Sequence, residues 1–213
     1  PIFFPSSYRR PYATEETENA NVLMRAEVLQ KIKNNPRQLV ITYPEALSEQ
    51  VLTPKELQRK TLSIKKGDEL SIDFVNETLF DFGFRRVDFV SEPGEFAVRG
   101  GILDVHSYSH EEPFRIEFFG DEIDTIRSFD ITSQRSTQAL NAIHVLANIE
   151  QKELDEKRQP LLSFIARESL ICVQNTSTIQ TSLDYLYTHA KKSYAALSGE
   201  IKRLQPNDLF VDG

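Results

Sequence analysis

An α/β domain interrupted by a small antiparallel, β-rich α+β insert is the architecture this sequence predicts, and three observations carry it. Up to about Leu52, short apolar runs alternate with helical periodicity, the grammar of a parallel sheet with covering helices. From about Gln58 the pattern shortens into alternating segments separated by Gly, Pro and Ser, which is how hairpins read. After about Asn148 a helical pattern and a continuous apolar run return. The expected boundaries are therefore 1–57, 58–148 and 149–213.

Each element has its local reason. "IFF" is expected as a buried strand, followed by a helix whose face is Ala20, Met24, Val28 and Ile32, and then by the strand "QLVIT". Pro44 sits where a first helical turn tolerates it, so "YPEALSEQVL" is expected as the next helix. In the insert, "KTLSIKKGDEL" predicts a strand entering a Lys-Gly turn. "SIDFVNETLFDFGF" predicts a helix capped by Ser71, with Phe74, Thr78, Leu79 and Phe82 on its face and Gly83 at its end. "RRVDFV", "GEFAVRG", "GILDVHSY", "PFRIEFFG" and "EIDTIRSFD" follow as strands, with the helix covering one face of their sheet. Beyond the polar stretch "IEQKELDEKRQP" come a helix-like "LLSFIA" and a buried strand "SLICVQN". Ile179, Leu183, Leu186, Ala190, Tyr194 and Leu197 then recur at helical spacing.

Composition narrows the function. The 213 residues are 39% hydrophobic, enough for a real core and against disorder. Twenty-five basic against 32 acidic residues give a net charge of -7, which disfavours a chain that works mainly by coating phosphate backbones. The one cysteine, Cys172, offers neither a disulfide framework nor a zinc spacing, and a reducing cytoplasmic compartment fits best. No run approaches a membrane span, and "PIFFPSSYRRP" lacks the features of a secretion signal. The chain starts without Met and "DLFVDG" ends it without an evident stop, which predicts a piece of something longer.

Side chains alternate across a strand, so Phe96 and Val98 on one face put Glu95, Ala97 and Arg99 on the other. Phe114, Ile116 and Phe118 likewise leave Arg115, Glu117 and Phe119 together. The second face is then mixed, with arginines, a carboxylate and an aromatic ring, the types that anchor protein interfaces. Arg85 and Arg86 extend it. On pattern alone, cross-strand charge pairs on a solvated face explain the same residues.

The stretch "GFRRVDFVSEPGEFAVRGGILDV", followed by "FRIEFFGDEIDTIRSFDITSQRS", resembles the module shared by the excision-repair protein UvrB and the transcription-repair coupling factors (Mfd). The similarity is close over about Arg59 to Leu146. "SEPGEFAVRGGILDV", "SFDITSQRS" and "FFPSSYRRPY" resemble the coupling-factor versions, and the first fifty residues have no room for UvrB's damage-clamping hairpin. The resemblance implies a degenerate helicase-like parallel α/β domain interrupted by a UvrB-domain-2-like module. It implies a non-catalytic surface that recruits the damage-recognition ATPase UvrA for transcription-coupled nucleotide excision repair. RNA polymerase and DNA would be engaged by other parts of the parent protein, an ATP-dependent translocase. The implied UvrA contacts are Arg86, Arg99, Arg115 and Glu117, with Arg85 as the alternative register for the first and Phe119 as an apolar contact. Where UvrB carries a further Arg, this chain has Ala97.

Other signals point elsewhere or nowhere. No P-loop or Walker B acid is present; "SLICVQNTS" ends in Gln174 and Asn175, which cannot hold Mg²⁺ as an acid does. No cofactor is expected. Asp121, Glu122 and Asp124 in "GDEID" read as hairpin carboxylates, and His106 and His110 as loop histidines without zinc geometry. "KKGDEL" offers a lysine pair for phosphate, though a solvated turn explains it equally well, and no Ser, His and Asp elbow supports nucleophilic catalysis. Two other classes stay open: a fragment of a helicase-like, ATP-dependent DNA-binding enzyme whose nucleotide site lies outside this chain, and a nucleic-acid platform. The acidic balance counts against the second.

Overall fold

A computed structural model of the chain describes residues 1–7, 12, 20–35, 37–149, 156–197 and 204–213. In chain order its elements begin β1 (Ile2–Phe3), α1 (Ala20–Asn34), β2 (Val40–Ile41), α2 (Pro44–Leu47), β3 (Val51–Leu52) and α3 (Pro54–Arg59). They continue β4 (Thr61–Lys65), α4 (Ile72–Asp81), β5 (Arg85–Arg86), β6 (Glu95–Arg99), β7 (Ile102–Val105), β8 (Phe114–Phe119), β9 (Glu122–Phe129), β10 (Ser136–Leu140) and β11 (Ala142–Leu146). The last are β12 (Arg158–Gln159), α5 (Leu161–Phe164), α6 (Thr176–Ala195) and α7 (Pro206–Leu209). The chain is mixed α/β with a β-rich region. It divides into two compact units, one of residues 1–57 and 151–213, the other of residues 58–150.

The β-rich unit is built on a six-stranded sheet in the order β10-β9-β8-β7-β6-β5, antiparallel throughout except for the parallel pair β5·β6. β11 and β4 form a separate antiparallel pair that joins the two ends of the unit. Glycines in the left-handed region make the tight reversals: Gly100 between β6 and β7, and Gly120 between β8 and β9. Phe96, Leu103, Val105, Phe114, Ile116, Ile123 and Ile126 point from the sheet into one core with Val75 and Leu79 of α4. Helix α4 starts where expected, since the Ser71 hydroxyl accepts from the Phe74 amide at 3.1 Å, and Gly83 follows its end with φ +77°. Its buried stripe is Val75 and Leu79, however. Phe74, expected on that face, is exposed, because the apolar spacing contained two overlapping stripes and only one meets the sheet.

The other unit departs further from expectation. Its parallel sheet is a two-residue pair, β1·β2, and β3 pairs antiparallel with β12. Helix α1 buries Val22, Ala26, Val28, Leu29 and Ile32, while Ala20 and Met24 are exposed. Helix α2 stops at Leu47 and "VL" becomes β3, so the segment expected as one helix is a single turn and a strand. Helix α6 is capped by Asn175 and half-buries Ile179, Leu183, Leu186 and Tyr194 around buried Ala190. The expected strand "SLICVQN" is not one: residues 169–175 pair with no strand among the described residues, Leu170 is 89% exposed, and Cys172 is exposed. Parts of "FFPSSYRRPY" and "IEQKELDEKRQP" lie outside the described residues. No helix among the described residues is long and apolar enough to cross a membrane.

Candidate docking face

The second face of the six-stranded sheet is only partly open. Glu95 and Ala97, expected on a solvated face, are buried, because residues 87–93 cross back over β6 as a strap. Val90 and Phe129 close on Ala97 in a small second core, with Val87 at its edge. An Arg at position 97 would have to displace the strap, which is the local reason a methyl group fits here.

Glu95 pins the strap. Its carboxylate accepts from the Ser91 amide at 2.9 Å, the Ser91 hydroxyl at 3.0 Å, the Glu92 amide at 3.0 Å and Arg85 at 2.6 Å. Burial alone would raise its pKa, but these four donors outweigh burial and hold the group below the usual carboxylate range. A depressed folded-state pKa stabilises above the unfolded value of about 4.3 and loses that contribution as pH falls through the folded pKa. Glu95→Gln is therefore expected to cost about 1–2 kcal/mol at pH 7, with the gap to wild type closing below about pH 4. Urea denaturation at pH 7 and pH 3 checks this; an equal gap at both would show that the carboxylate charge is not what matters.

Beyond the strap, Ala97, Asp104 and Arg115 lie side by side across β6, β7 and β8, and Arg99, Ile102 and Glu117 form the next row. Asp104 is buried, its side chain 1% exposed. It takes the Arg115 Nε on Oδ1 at 2.7 Å, and Arg115 Nη2 on Oδ2 at 2.8 Å, a bidentate pair. Arg99 Nη2 donates to the same Oδ2. Each guanidinium has further support. Arg99 donates to the Asp88 carbonyl at 2.6 Å and lies 5.3 Å from the Phe89 ring centre; Arg115 donates to the Gln134 carbonyl at 3.2 Å and lies 4.6 Å from that of Phe129. The hydrogen bonds that Arg115 donates to Asp104, together with the negative charge of that carboxylate, raise the pKa of Arg115. The side chain of Arg99 is 40% exposed and that of Arg115 only 17%.

Glu117 is engaged by its neighbours on β9, accepting from Thr125 at 2.9 Å and pairing with Arg127 at 2.6 Å. Phe119, past the register shift between Glu117 and Phe118, is 82% exposed. Arg85 lies opposite Glu95 and so shares this face, whereas Arg86 lies opposite Phe96 and projects to the other. The face thus brings together Arg85, Arg99, Arg115 and Glu117 and leaves Arg86 out. Asp104 and Phe89 were missed from the sequence. A lone acid inside the apolar run "GILDV" was the available signal for the first.

The remaining candidates are elsewhere. His106 follows β7 in a loop and is buried, its Nε2 3.1 Å from the His110 carbonyl, and burial lowers its pKa. Asp121, Glu122 and Asp124 are exposed at the β8–β9 hairpin. Among the described residues no three His, Cys, Asp or Glu side chains converge as a metal site.

Comparison with known proteins places the face inside a recognised module. Residues 62–150 match the family model of the UvrB interaction domain. The chain is 36% identical over 143 residues to a transcription-repair-coupling factor of Haemophilus influenzae, a match covering 67% of this chain and 12% of that protein. It is 36% identical over 122 residues to the coupling factor of Bacillus subtilis, covering 57% and 10%, and 40% identical over 119 residues to that of Mycobacterium bovis, covering 56% and 10%. The matched stretch is about a tenth of the length of these relatives.

Proposed function

We propose that this chain, which carries a UvrB interaction domain and resembles transcription-repair-coupling factors, is a non-catalytic docking region whose open sheet face binds UvrA. The observation that carries the reading is the convergence of Arg99 and Arg115 on one buried carboxylate, at the open part of a sheet face within the matched segment. Two ordered guanidinium groups with spare donors suit carboxylates on a partner. Phe119 adds apolar contact, Glu117 with Arg127 presents a neutral pair beside them, and Arg85 extends the cationic edge in preference to Arg86. In this reading the factor brings UvrA to a stalled transcription complex in the cytoplasm. RNA polymerase and DNA belong to other parts of the longer protein.

The flanking α/β unit is read as a helicase-like domain without ATP chemistry. Supporting this, the sequence has no P-loop. The alternative of an enzyme fragment has no observation of its own in its favour.

Calorimetric titration of purified UvrA into the 213-residue chain tests the docking role. Wild type is expected to bind. Arg99→Ala, with its fold verified by circular dichroism, is expected to bind at least about 30-fold more weakly, a loss of about 2 kcal/mol. A wild type that does not bind, or an Arg99→Ala variant that binds equally well, overturns the assignment.

A further inference from the structure

We infer that Asp104 is the positioning residue of this face: it makes no partner contact itself but holds Arg99 and Arg115 in one arrangement before a carboxylate-bearing surface of the partner arrives. The inference rests on the docking reading and adds to it how the face is made ready. Both oxygens of Asp104 are used by guanidinium donors, and Ala97, directly opposite on β6, has only a methyl to place beside it. Each guanidinium is then fixed from three sides, by the shared carboxylate, by a backbone carbonyl and by a ring. Arg99 keeps its outer donors free. The strap supplies both the Asp88 carbonyl and the Phe89 ring, and Phe89 is itself 67% exposed at the rim.

Charge and position make opposite forecasts for this carboxylate. If Asp104 merely offset part of the cationic field, removing its charge would tighten binding to an acidic surface. If it positions the arginines, removing it leaves two long side chains to be ordered by the partner, and binding weakens despite the gain in positive charge.

Asp104→Asn is the informative variant, because it keeps the size and one acceptor for Arg115. Titrated with UvrA at constant salt, and folded by circular dichroism, it is expected to bind about tenfold more weakly than wild type. Equal or tighter binding by the folded variant overturns the inference while leaving the docking reading intact. Failure of wild type to bind defeats the docking reading, and the inference with it. Should the variant not fold, side-chain nitrogen NMR of the free wild-type chain decides. Slow rotation about Nε–Cζ in both arginines is expected, and a freely rotating Arg99 overturns the inference.

Discussion

Phe96→Ala is expected to cost about 3–5 kcal/mol, the largest loss from any single truncation in the β-rich unit. Phe96 is fully buried at the centre of that unit's core, and its ring meets Phe80 edge-on with centroids 5.1 Å apart. Truncation removes the transfer free energy of the ring and leaves a cavity between sheet and α4 that neither can close without disturbing strand pairing on both sides of β6. A unit of this size has roughly 5–14 kcal/mol in total, so the loss takes at least about a fifth of its stability. Urea denaturation followed by circular dichroism should show the midpoint fall with little change in slope. Phe96→Leu, which keeps most of the volume, should lose far less; equal losses would mean the cavity is not the cause.

Asp104→Ala should approach the same magnitude by a different route. Deleting the carboxylate strands the mostly buried guanidinium of Arg115, and breaking a buried ion pair from one side costs about 3–5 kcal/mol. The Gln134 carbonyl still accepts from Arg115, and the open side of Arg99 lets it turn to water, so the lower end is expected. The double variant Asp104→Leu with Arg115→Met separates desolvation from packing. With no charge left to satisfy in that row, much of the loss should be recovered. If the double variant is as unstable as Asp104→Ala, the packing of the row and not the orphaned cation sets the cost.

What could be read from the residues alone was whatever is decided locally. Helix α4 is framed by Ser71 and Gly83, and the hairpins by their glycines, because caps and left-handed turns are properties of a few consecutive residues. The alternation placing Arg99 and Arg115 on one face is local too. What alternation could not supply was the strap, since nothing in "VDFVSEP" states that it folds back over Ala97. Nor could it show that Asp104 sits between two arginines contributed by neighbouring strands, a matter of the register within two successive hairpins. The misreading of "SLICVQN" has the same origin. β-branched apolar residues describe a strand only when neighbours are there to pair, and residues 169–175 have none among the described residues.

The pairing of β4 with β11 also bears on the order of folding. Leu52 of β3 must find Arg158 of β12, and the intervening stretch is the whole β-rich unit. Once Thr61 is zipped to Leu146, the free chain between the two β3 and β12 partners shrinks from about 105 residues to about 20, cutting the closure entropy by about 1–1.5 kcal/mol. During synthesis the β-rich unit is complete before the ribosome has delivered β12. It can therefore act as a folded staple that gathers the two halves of its host, making the host's folding conditional on its own.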